Sequence, residues 1–259
     1  ENALPCNAYN TVSGLILDQL KHIPTTGERL QWVSWLRSAA PYVHLHHGRT
    51  FVISFAGEVV ADRTLLNHLV MDVSLIASMG MRVVLVHGSR PQIEELMSLR
   101  KLEGQFYKGV RITGPQELEC VKEACGETRF DIEAAFSQGL PNTPMQHSRI
   151  KVVSGNFVTA RPMGIIDGVD YLHTGVVRKV DAESIQDLLS RGNIVLVSPT
   201  GFSPTGEAFN LTTEDVATAI AVAIHADKLI LSVGVDGVRI QGEKQQDLTA
   251  QQAQALIQG

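Results

Sequence analysis

The sequence predicts a three-layer α/β sandwich built around a mainly parallel sheet. Strand-like and helix-like segments alternate along most of the 259 residues, which is the order of an α/β protein. The strand-like segments MRVVLVHG (81–88) and NIVLVSP (193–199) are apolar without polar alternation, as are strands that helices cover on both faces. Glycines after such segments lead into helix-like ones, so tight turns are expected where the strands end.

The N-terminal region predicts an extension followed by a helix. Residues 1–29 contain proline and glycine and predict no element longer than a short helix, so we expect an extension over 1–29 and one domain over 30–259. Apolar side chains at helical spacing predict a helix from 28 to about 43, which Pro41 disturbs near its end. His44, His46 and His47 are expected in a solvated linker rather than in a ligand site.

The remaining elements follow in order along the chain. Main-sheet strands are predicted at 50–55, 81–88, 193–199 and 228–233. Short strands that decorate the main sheet as hairpins are predicted at 149–153, 156–160, 171–173 and 176–180, and a loop at 200–206. Helices are predicted at 65–79, 91–99, 115–124, 131–138, 182–190, 213–226 and 250–257. The TTED segment (212–215) predicts a capping box for the helix at 213.

Composition excludes several classes of protein. The formal charge is -5, with no basic stripe, which argues against a nucleic-acid partner. No apolar run approaches the roughly 18 residues of a membrane helix, and the first residues lack a secretory pattern, so a soluble intracellular protein is expected. Three cysteines suit a reducing compartment. Cys120 and Cys125, whose spacing suits no single helical face, are expected to be inert.

Three segments predict a site for an anionic small molecule. Residues 56–58, 87–91 and 201–210 follow apolar strands, and open α/β sheets bind ligands at the carboxyl ends of their strands. The second segment leads into a helix whose free amides and dipole favour an anion. Each segment taken alone is equally typical of an ordinary turn.

Several common motifs are missing. The sequence contains neither G-x-G-x-x-G after the first strand nor G-x-x-x-x-G-K-[ST], which disfavours a Rossmann dehydrogenase and a P-loop ATPase. Neither H-E-x-x-H nor G-x-S-x-G is present. No metal site and no cofactor are expected in this chain.

Six segments resemble the amino-acid-kinase-like domain of bacterial-type N-acetylglutamate synthases. These segments are TFVISFAGEVV (50–60), VLVHGSRPQIEELM (84–97), YKGVRITG (107–114), VVSGNFVTARPMGIIDGVDYLHTGVVRKVD (152–181), VLVSPTGFSPTGEAFNLTTEDVATAIA (195–221) and ADKLILS (226–232). The resemblance covers about residues 30–259 and implies an amino-acid-kinase-like (carbamate-kinase-like) fold. Enzymes of this family acetylate L-glutamate with acetyl-CoA, the first step of arginine biosynthesis.

The family's acetyltransferase domain follows the kinase-like domain. The resemblance therefore implies that this chain is the regulatory and assembly half, with the acetyltransferase domain as its partner and acetyl-CoA as a substrate of that other domain. It also implies a cytoplasmic protein, with an organelle as the alternative in a eukaryote.

The related N-acetylglutamate kinases differ from this chain where phosphoryl transfer needs charge. Their K-x-G-G motif is matched by residues 54–57, where Ser54 replaces the lysine and Ala56 replaces the first glycine before Gly57. That lysine neutralises charge on the transferring group, a task that dominates this chemistry. Lys244 aligns only loosely with the second kinase lysine.

Two further kinase motifs are altered. H-G-G-G-P becomes His87 to Pro91, so that Ser89 and Arg90 follow Gly88, and N-x-N-A-D becomes Asn210 to Glu214. These departures predict that phosphoryl transfer has been lost. An active N-acetylglutamate kinase is the alternative.

The resemblance also implies a vestigial substrate or anion pocket. The kinases hold the substrate carboxylate with an arginine in a G-x-R-x-T segment, which Gly109, Arg111 and Thr113 match. Alternatively, Arg111 forms a structural salt bridge in a defunct site. The implied pocket residues are Ala56, Gly57, Gly88, Ser89, Arg90, Gly109, Arg111, Asn210 and Glu214.

A regulatory site for arginine is implied in the same way. Arginine-sensitive members of the group have a mobile N-terminal helix ending in A-P-Y or S-P-Y, matched here by residues 40–42. The resemblance implies that this helix joins subunits into a ring and that arginine binds between it and the C-terminal lobe. Tyr42 is carried over to this site, although it is equally explained as the cap of a packed helix end. Acceptors for the five guanidinium donors are sought among Asp236, Glu243 and Asp247.

The sequence thus predicts an arginine-sensing, oligomerising domain of N-acetylglutamate synthase, and it leaves the direction of regulation and the number of subunits open. A scaffold that binds neither arginine nor nucleotide is a further alternative.

Overall fold

A computed structural model describes residues 26–138, 150–232, 238–240, 243–245 and 247–258. The chain divides into two units between His47 and Gly48. The described part of the first unit is a single helix, α1 (Thr26–His46), with the turn that follows it.

Helix α1 is longer than the sequence predicts. Pro41 lies inside the helix rather than disturbing its end. The prediction of a linker at His44 and His46 is wrong, because both lie in the last turn, where the helix dipole favours histidine. The turn closes as the backbone N–H of His47 donates to the carbonyl oxygen of Val43 at 2.9 Å.

Two sheets organise the second unit. The main sheet is parallel throughout, in the order β13-β1-β2-β10-β5. The second sheet has the order β12-β11-β6-β9. The main-sheet strands are β1 (Thr50–Phe55), β2 (Arg82–His87), β5 (Val152–Ser154), β10 (Ile194–Val197) and β13 (Lys228–Ser232). The strands of the second sheet are β6 (Val158–Pro162), β9 (Gly175–Val180), β11 (Thr200–Phe202) and β12 (Ala208–Asn210).

Helices and three short ladders complete this unit. The helices are α2 (Gly57–Ala61), α3 (Arg63–Ser78), α4 (Arg90–Leu99), α5 (Pro115–Ser137), α6 (Ala182–Ser190), α7 (Thr213–Ala223) and α8 (Ala250–Gln258). The ladders pair β3 (Gln105–Tyr107) with β4 (Val110–Ile112), β7 (Ile165–Ile166) with β8 (Val169–Asp170), and β14 (Arg239–Ile240) with β15 (Glu243–Lys244).

The main sheet is covered on both faces, as the apolar strands predict. Along β1, Ile53 packs into one cluster with residues of α2, α3 and α5, whereas its neighbour Val52 packs into another with residues of α6, α7 and the second sheet. Successive residues of a strand point to opposite faces, so one apolar strand supplies both cores. The three-layer sandwich is confirmed.

Several local predictions are wrong. The strand predicted at 149–153 as part of the hairpin decoration is β5, which pairs in parallel with β10 at the edge of the main sheet. Residues 115–124 and 131–138 belong to one continuous helix, α5, because Ala124, Thr128 and Ile132 keep its inner face buried across the predicted break. The predicted strand at 171–173 lies outside the strands; β8 precedes it. The capping box at 212–215 does not form, since the N-cap Thr212 makes no side-chain cap hydrogen bond.

The predicted loop at 200–206 begins with a strand, because β11 and β12 form a hairpin. Gly201 permits the strand to approach β6: a Cβ atom at this position would lie 2.7 Å from Cβ of Ala160. Gly206 supplies the positive φ (+86°) at the turn.

Leu85→Ala tests the central position of β2. Leu85 is fully buried, so its truncation leaves a cavity, and we expect the free energy of unfolding to fall by about 2–5 kcal/mol. Leu99→Ala is the control, because Leu99 is 74% exposed and its truncation should change stability by less than about 0.5 kcal/mol. Urea unfolding followed by circular dichroism measures both, and equal effects would contradict the assignment of the core.

Candidate functional site

A cavity opens where the main-sheet strands end. The carboxyl ends of β1, β2, β10 and β13 lie at one edge because these strands are parallel, and a cavity of about 420 Å³ lies there. The nine residues of the implied anion pocket all line it: Ala56, Gly57, Gly88, Ser89, Arg90, Gly109, Arg111, Asn210 and Glu214. The structure therefore brings together segments that are far apart in sequence.

Two glycine turns form the floor of the cavity by close backbone contact. The N–H of Gly88 donates to the carbonyl oxygen of Phe55 at 2.7 Å. A Cβ atom on Gly57 would lie 2.9 Å from Cδ of Pro91, and one on Gly88 would lie 3.0 Å from the nitrogen of Gly57. The turns thus need glycine for space, and they place the N-cap of α4, Ser89, at the cavity wall.

His87 is a buried, neutral side chain beneath this wall. It is fully buried, and burial lowers the pKa of its imidazole to about 4. Nε2 lies 2.8 Å from Oγ of Ser198, and Nδ1 lies 3.2 Å from both the carbonyl oxygen of Gly88 and Oγ of Ser89. With the Nδ1 proton assigned toward the Gly88 carbonyl, the Ser198 hydroxyl donates to Nε2.

Two arginines share one carboxylate at the cavity rim. Nε of Arg90 donates to Oε1 of Glu94 at 2.9 Å, and Nη2 of Arg111 donates to the same oxygen at 3.3 Å. Arg111 is 9% exposed and lies over the ring of Phe106, 4.6 Å from its centroid. Burial lowers the pKa of the Arg111 guanidinium, and the Glu94 charge opposes that shift. The salt bridge that the sequence left as an alternative role for Arg111 is present, and Arg111 also lines the cavity.

A hydroxyl network holds the opposite wall. The Thr174 hydroxyl donates to the carbonyl oxygen of Arg111 at 2.6 Å, and its oxygen lies 2.9 Å from Oγ1 of Thr113. Nδ2 of Asn210 donates to Oγ1 of Thr113 at 3.0 Å. Asn210 and the strand that carries Arg111 are therefore fixed relative to each other.

Sequence reasoning missed three residues of this site. Glu94 lies one helical turn after Arg90, a spacing that could have indicated the pair. Phe106 and Thr174 gave no signal: Phe106 lies opposite Arg111 in the short β3–β4 hairpin, and Thr174 reaches the cavity by pairing with Thr113, 61 residues away.

Two candidate arginine-site residues described in the second unit, Glu243 and Asp247, do not line the cavity. Tyr42 lies in α1 of the first unit and is 67% exposed. Glu243 in β15 and Asp247 are exposed side chains of the second unit. Asp236 lies outside the described residues. Lys244, the loosely aligned counterpart of the kinase lysine, is exposed in β15 and does not line the cavity.

Cys120 and Cys125 are both buried on α5, contrary to the expectation that their spacing suits no single helical face. They pack in one apolar cluster with residues of α4, because that helix covers a wide arc of α5. Burial raises the pKa of the Cys125 thiol to about 11, which keeps it protonated at neutral pH. Cys6 lies outside the described residues.

The described residues contain no group of three or more histidine, cysteine or acidic side chains that could hold a metal ion. No helix in the same part of the chain is long and apolar enough to cross a membrane.

The pH dependence of stability tests the state of His87. Its folded pKa of about 4 lies below the usual 6.5, so the unfolded chain takes up the proton first as the pH falls. Neutral His87 therefore makes its full contribution to the free energy of unfolding above about pH 6.5. As the pH falls toward 4, the free energy of unfolding decreases by up to about 3 kcal/mol because of this residue.

His87→Gln removes this titration and keeps polar groups at the site. We expect its free energy of unfolding, measured in urea at pH 7, 5.5 and 4, to fall less steeply than that of the native chain. The same pH slope in both proteins would show that folding does not lower the pKa of His87.

Comparisons with known proteins agree with this geometry. Residues 49–257 match the model of the amino acid kinase family. The chain is 58% identical over 232 residues to an amino-acid acetyltransferase from Ralstonia nicotianae, covering 89% of this chain and 51% of the relative. It is 49% identical to the amino-acid acetyltransferase from Ectopseudomonas mendocina, covering 87% and 52%. The chain thus spans about half the length of the curated relatives it matches.

Solved structures give the same result. The N-acetylglutamate synthase from Neisseria gonorrhoeae, complexed with coenzyme A and L-arginine, is 34% identical with a TM-score of 0.80, covering 87% of this chain and 53% of that one. A carbamate kinase from Giardia is 16% identical with a TM-score of 0.58, covering 82% of each chain, and shares the fold. The amino-acid-kinase-like fold implied by the resemblance is confirmed.

Proposed function

We propose that this chain, which belongs to the amino acid kinase family, is the regulatory and assembly domain of an amino-acid N-acetyltransferase. The whole enzyme would make N-acetyl-L-glutamate from acetyl-CoA and L-glutamate. The names of two relatives, an amino-acid acetyltransferase and an N-acetylglutamate synthase, support this reaction. Acyl transfer would take place in an acetyltransferase domain, to which acetyl-CoA binds. This role suits the cytoplasm, or an organelle in a eukaryote.

The observation that carries this proposal is the charge of the cavity. Ser54, buried at its wall, stands where a phosphoryl-transfer enzyme needs a lysine. Among the described lining residues the cations are Arg90 and Arg111, and both contact Glu94. Glu58 and Glu214 line the same cavity, so the cavity offers no excess positive charge to a nucleotide triphosphate and its metal. This supports loss of kinase activity.

L-Arginine is the proposed effector. A relative has been solved with L-arginine bound, and Tyr42 offers an exposed ring on α1. Glu243 and Asp247 are exposed carboxylates of the second unit, and carboxylates pair with guanidinium through short, charge-assisted bonds. Arginine would act by binding two conformations of the assembled enzyme with different affinity.

The same helix is the proposed contact between subunits. Val33, Tyr42 and Leu45 of α1 are 40–67% exposed, and burial of such side chains against another copy would stabilise an oligomer.

A direct assay separates this proposal from an active kinase. The chain is incubated with ATP, Mg²⁺ and N-acetyl-L-glutamate, and ADP release is followed by a coupled assay. We expect no turnover above background, because the cation beside the transferring phosphoryl group is missing. A known N-acetylglutamate kinase in the same buffer is the control, and turnover of about 1 s⁻¹ or more by this chain would refute the proposal.

Thermal denaturation tests the effector site. Arginine should raise Tm, because ligand at one hundred times Kd stabilises by about 2.7 kcal/mol. Tyr42→Ala should weaken this shift, whereas Ser34→Ala, a truncation at an exposed residue of the same helix outside the proposed subunit contact, should preserve it. L-Lysine at equal concentration controls for ionic strength, and an unchanged Tm at high arginine would favour the scaffold alternative.

A further inference from the structure

We propose that a second cavity, at the carboxyl ends of β5 and β10, binds a small aliphatic carboxylate through Arg129. The cavity encloses about 260 Å³, near the lower end of the roughly 300–1,000 Å³ of ligand sites, so its ligand has the size of an amino acid. It lies on the edge of the sheet at which open α/β folds bind ligands. This site is separate from the cavity to which the proposed function refers.

Arg129 supplies the charge of this site. It lines the cavity from α5, and its Nε lies 3.6 Å from Oε1 of Glu133, one turn further along the helix. That oxygen also accepts a hydrogen bond from Oγ of Ser154 at 2.8 Å. Glu133 therefore links the arginine to the end of β5. Among the described residues this is the carboxylate that pairs with Arg129, and the contact uses Nε, which leaves the terminal guanidinium nitrogens as a fork for a ligand carboxylate.

Polar groups of two strand ends line the rest of the wall. Ser198 and Thr200 follow β10, and Asn156 follows β5. Oγ of Ser198 is held 2.8 Å from Nε2 of His87, and the buried His87 ring is fully enclosed. Because this hydroxyl donates its proton to Nε2, its oxygen can only accept, and the side chains of Thr200 and Asn156 are the donors that this part of the wall offers to a carboxylate.

The rest of the lining of this second cavity is apolar. Val158 and Leu196 are buried, and the ring of Phe202 lines the same cavity. An aliphatic stem would cover this surface, and inorganic phosphate would leave it without a partner. One guanidinium beside an apolar wall thus fits a short carboxylic acid better than a bare anion.

His87 separates the two cavities. Its Nδ1 side lies against Ser89, which lines the first cavity, and its Nε2 side lies against Ser198, which lines the second. Binding in one cavity can therefore be measured independently of the other, since their lining residues differ.

Sodium glutarate is the probe for this site. The chain is titrated with glutarate while backbone amide signals are followed by ¹H–¹⁵N NMR, with sodium phosphate and sodium chloride titrated in parallel at equal ionic strength. We expect saturable shifts of the Gly155, Asn156 and Thr200 signals with glutarate, and weaker binding of phosphate.

Two substitutions of Arg129 and one control substitution identify the cation. Arg129→Gln should weaken glutarate binding by at least about tenfold, the effect of losing a hydrogen bond to a charged group. Arg191→Gln is the matched control: Arg191 also pairs with a carboxylate one turn away on its helix, Asp187, but lines neither cavity, and its loss should leave Kd unchanged. Arg129→Lys, which keeps the charge and loses the fork, should give an intermediate Kd.

Several results would overturn the proposal. These are no saturable shift with glutarate, shifts confined to Ser89 and Arg90 of the first cavity, a Kd that does not depend on residue 129, or phosphate binding as tight as glutarate binding. If Arg129→Gln fails to fold by circular dichroism, the Kd of Arg129→Lys decides the question alone.

Discussion

The close approach of two glycine turns is the constraint on which the main cavity depends. Gly57 and Gly88 end neighbouring parallel strands, and the space between their backbones admits no Cβ atom without displacement of Pro91 or of the other turn. This contact brings the end of β1 against the start of α4 and so fixes where Ser89 and Arg90 stand. Parallel pairing then adds the ends of β10 and β13 to the same edge. The position of the cavity is therefore a consequence of backbone packing.

The sequence predicted the elements whose local signals agree with their surroundings. Strand β1 and helix α6 have the predicted bounds. β1 is a run of β-branched and aromatic residues, and in α6 the side chain of Asp181 accepts a hydrogen bond from the Ser184 amide at the N-terminus. The nine pocket residues also came together as expected, since each follows a strand end or a matched motif.

The misses have a common physical origin in contacts between distant segments. Helix α5 continues through the polar stretch around Thr128 because its inner face stays buried, and residues 200–202 form a strand because β6 and β12 pair with it. Thr174 enters the site through a hydrogen bond to Thr113, 61 residues away. Local spacing carries no information about such pairs. A glycine, by contrast, indicates a turn at its own position in the sequence. The ends of the strands were therefore easier to predict than the residues that form the cavity walls.

The positive charges that line the main cavity are compensated within the protein. Arg111 is the best-buried cation there, yet Glu94 and the face of Phe106 already occupy its guanidinium, so its charge is largely compensated within the protein. A polyphosphate needs several uncompensated cations around it, whereas a single carboxylate needs one guanidinium fork or one helix terminus. With Ser54 in place of a lysine the first requirement is not met, whereas the N-terminus of α4 at the cavity wall can meet the second. The hydroxyl network from Asn210 to Thr174 joins the cavity walls through the protein's own hydrogen bonds, so a domain used for recognition and assembly, as we propose, would keep these walls in place.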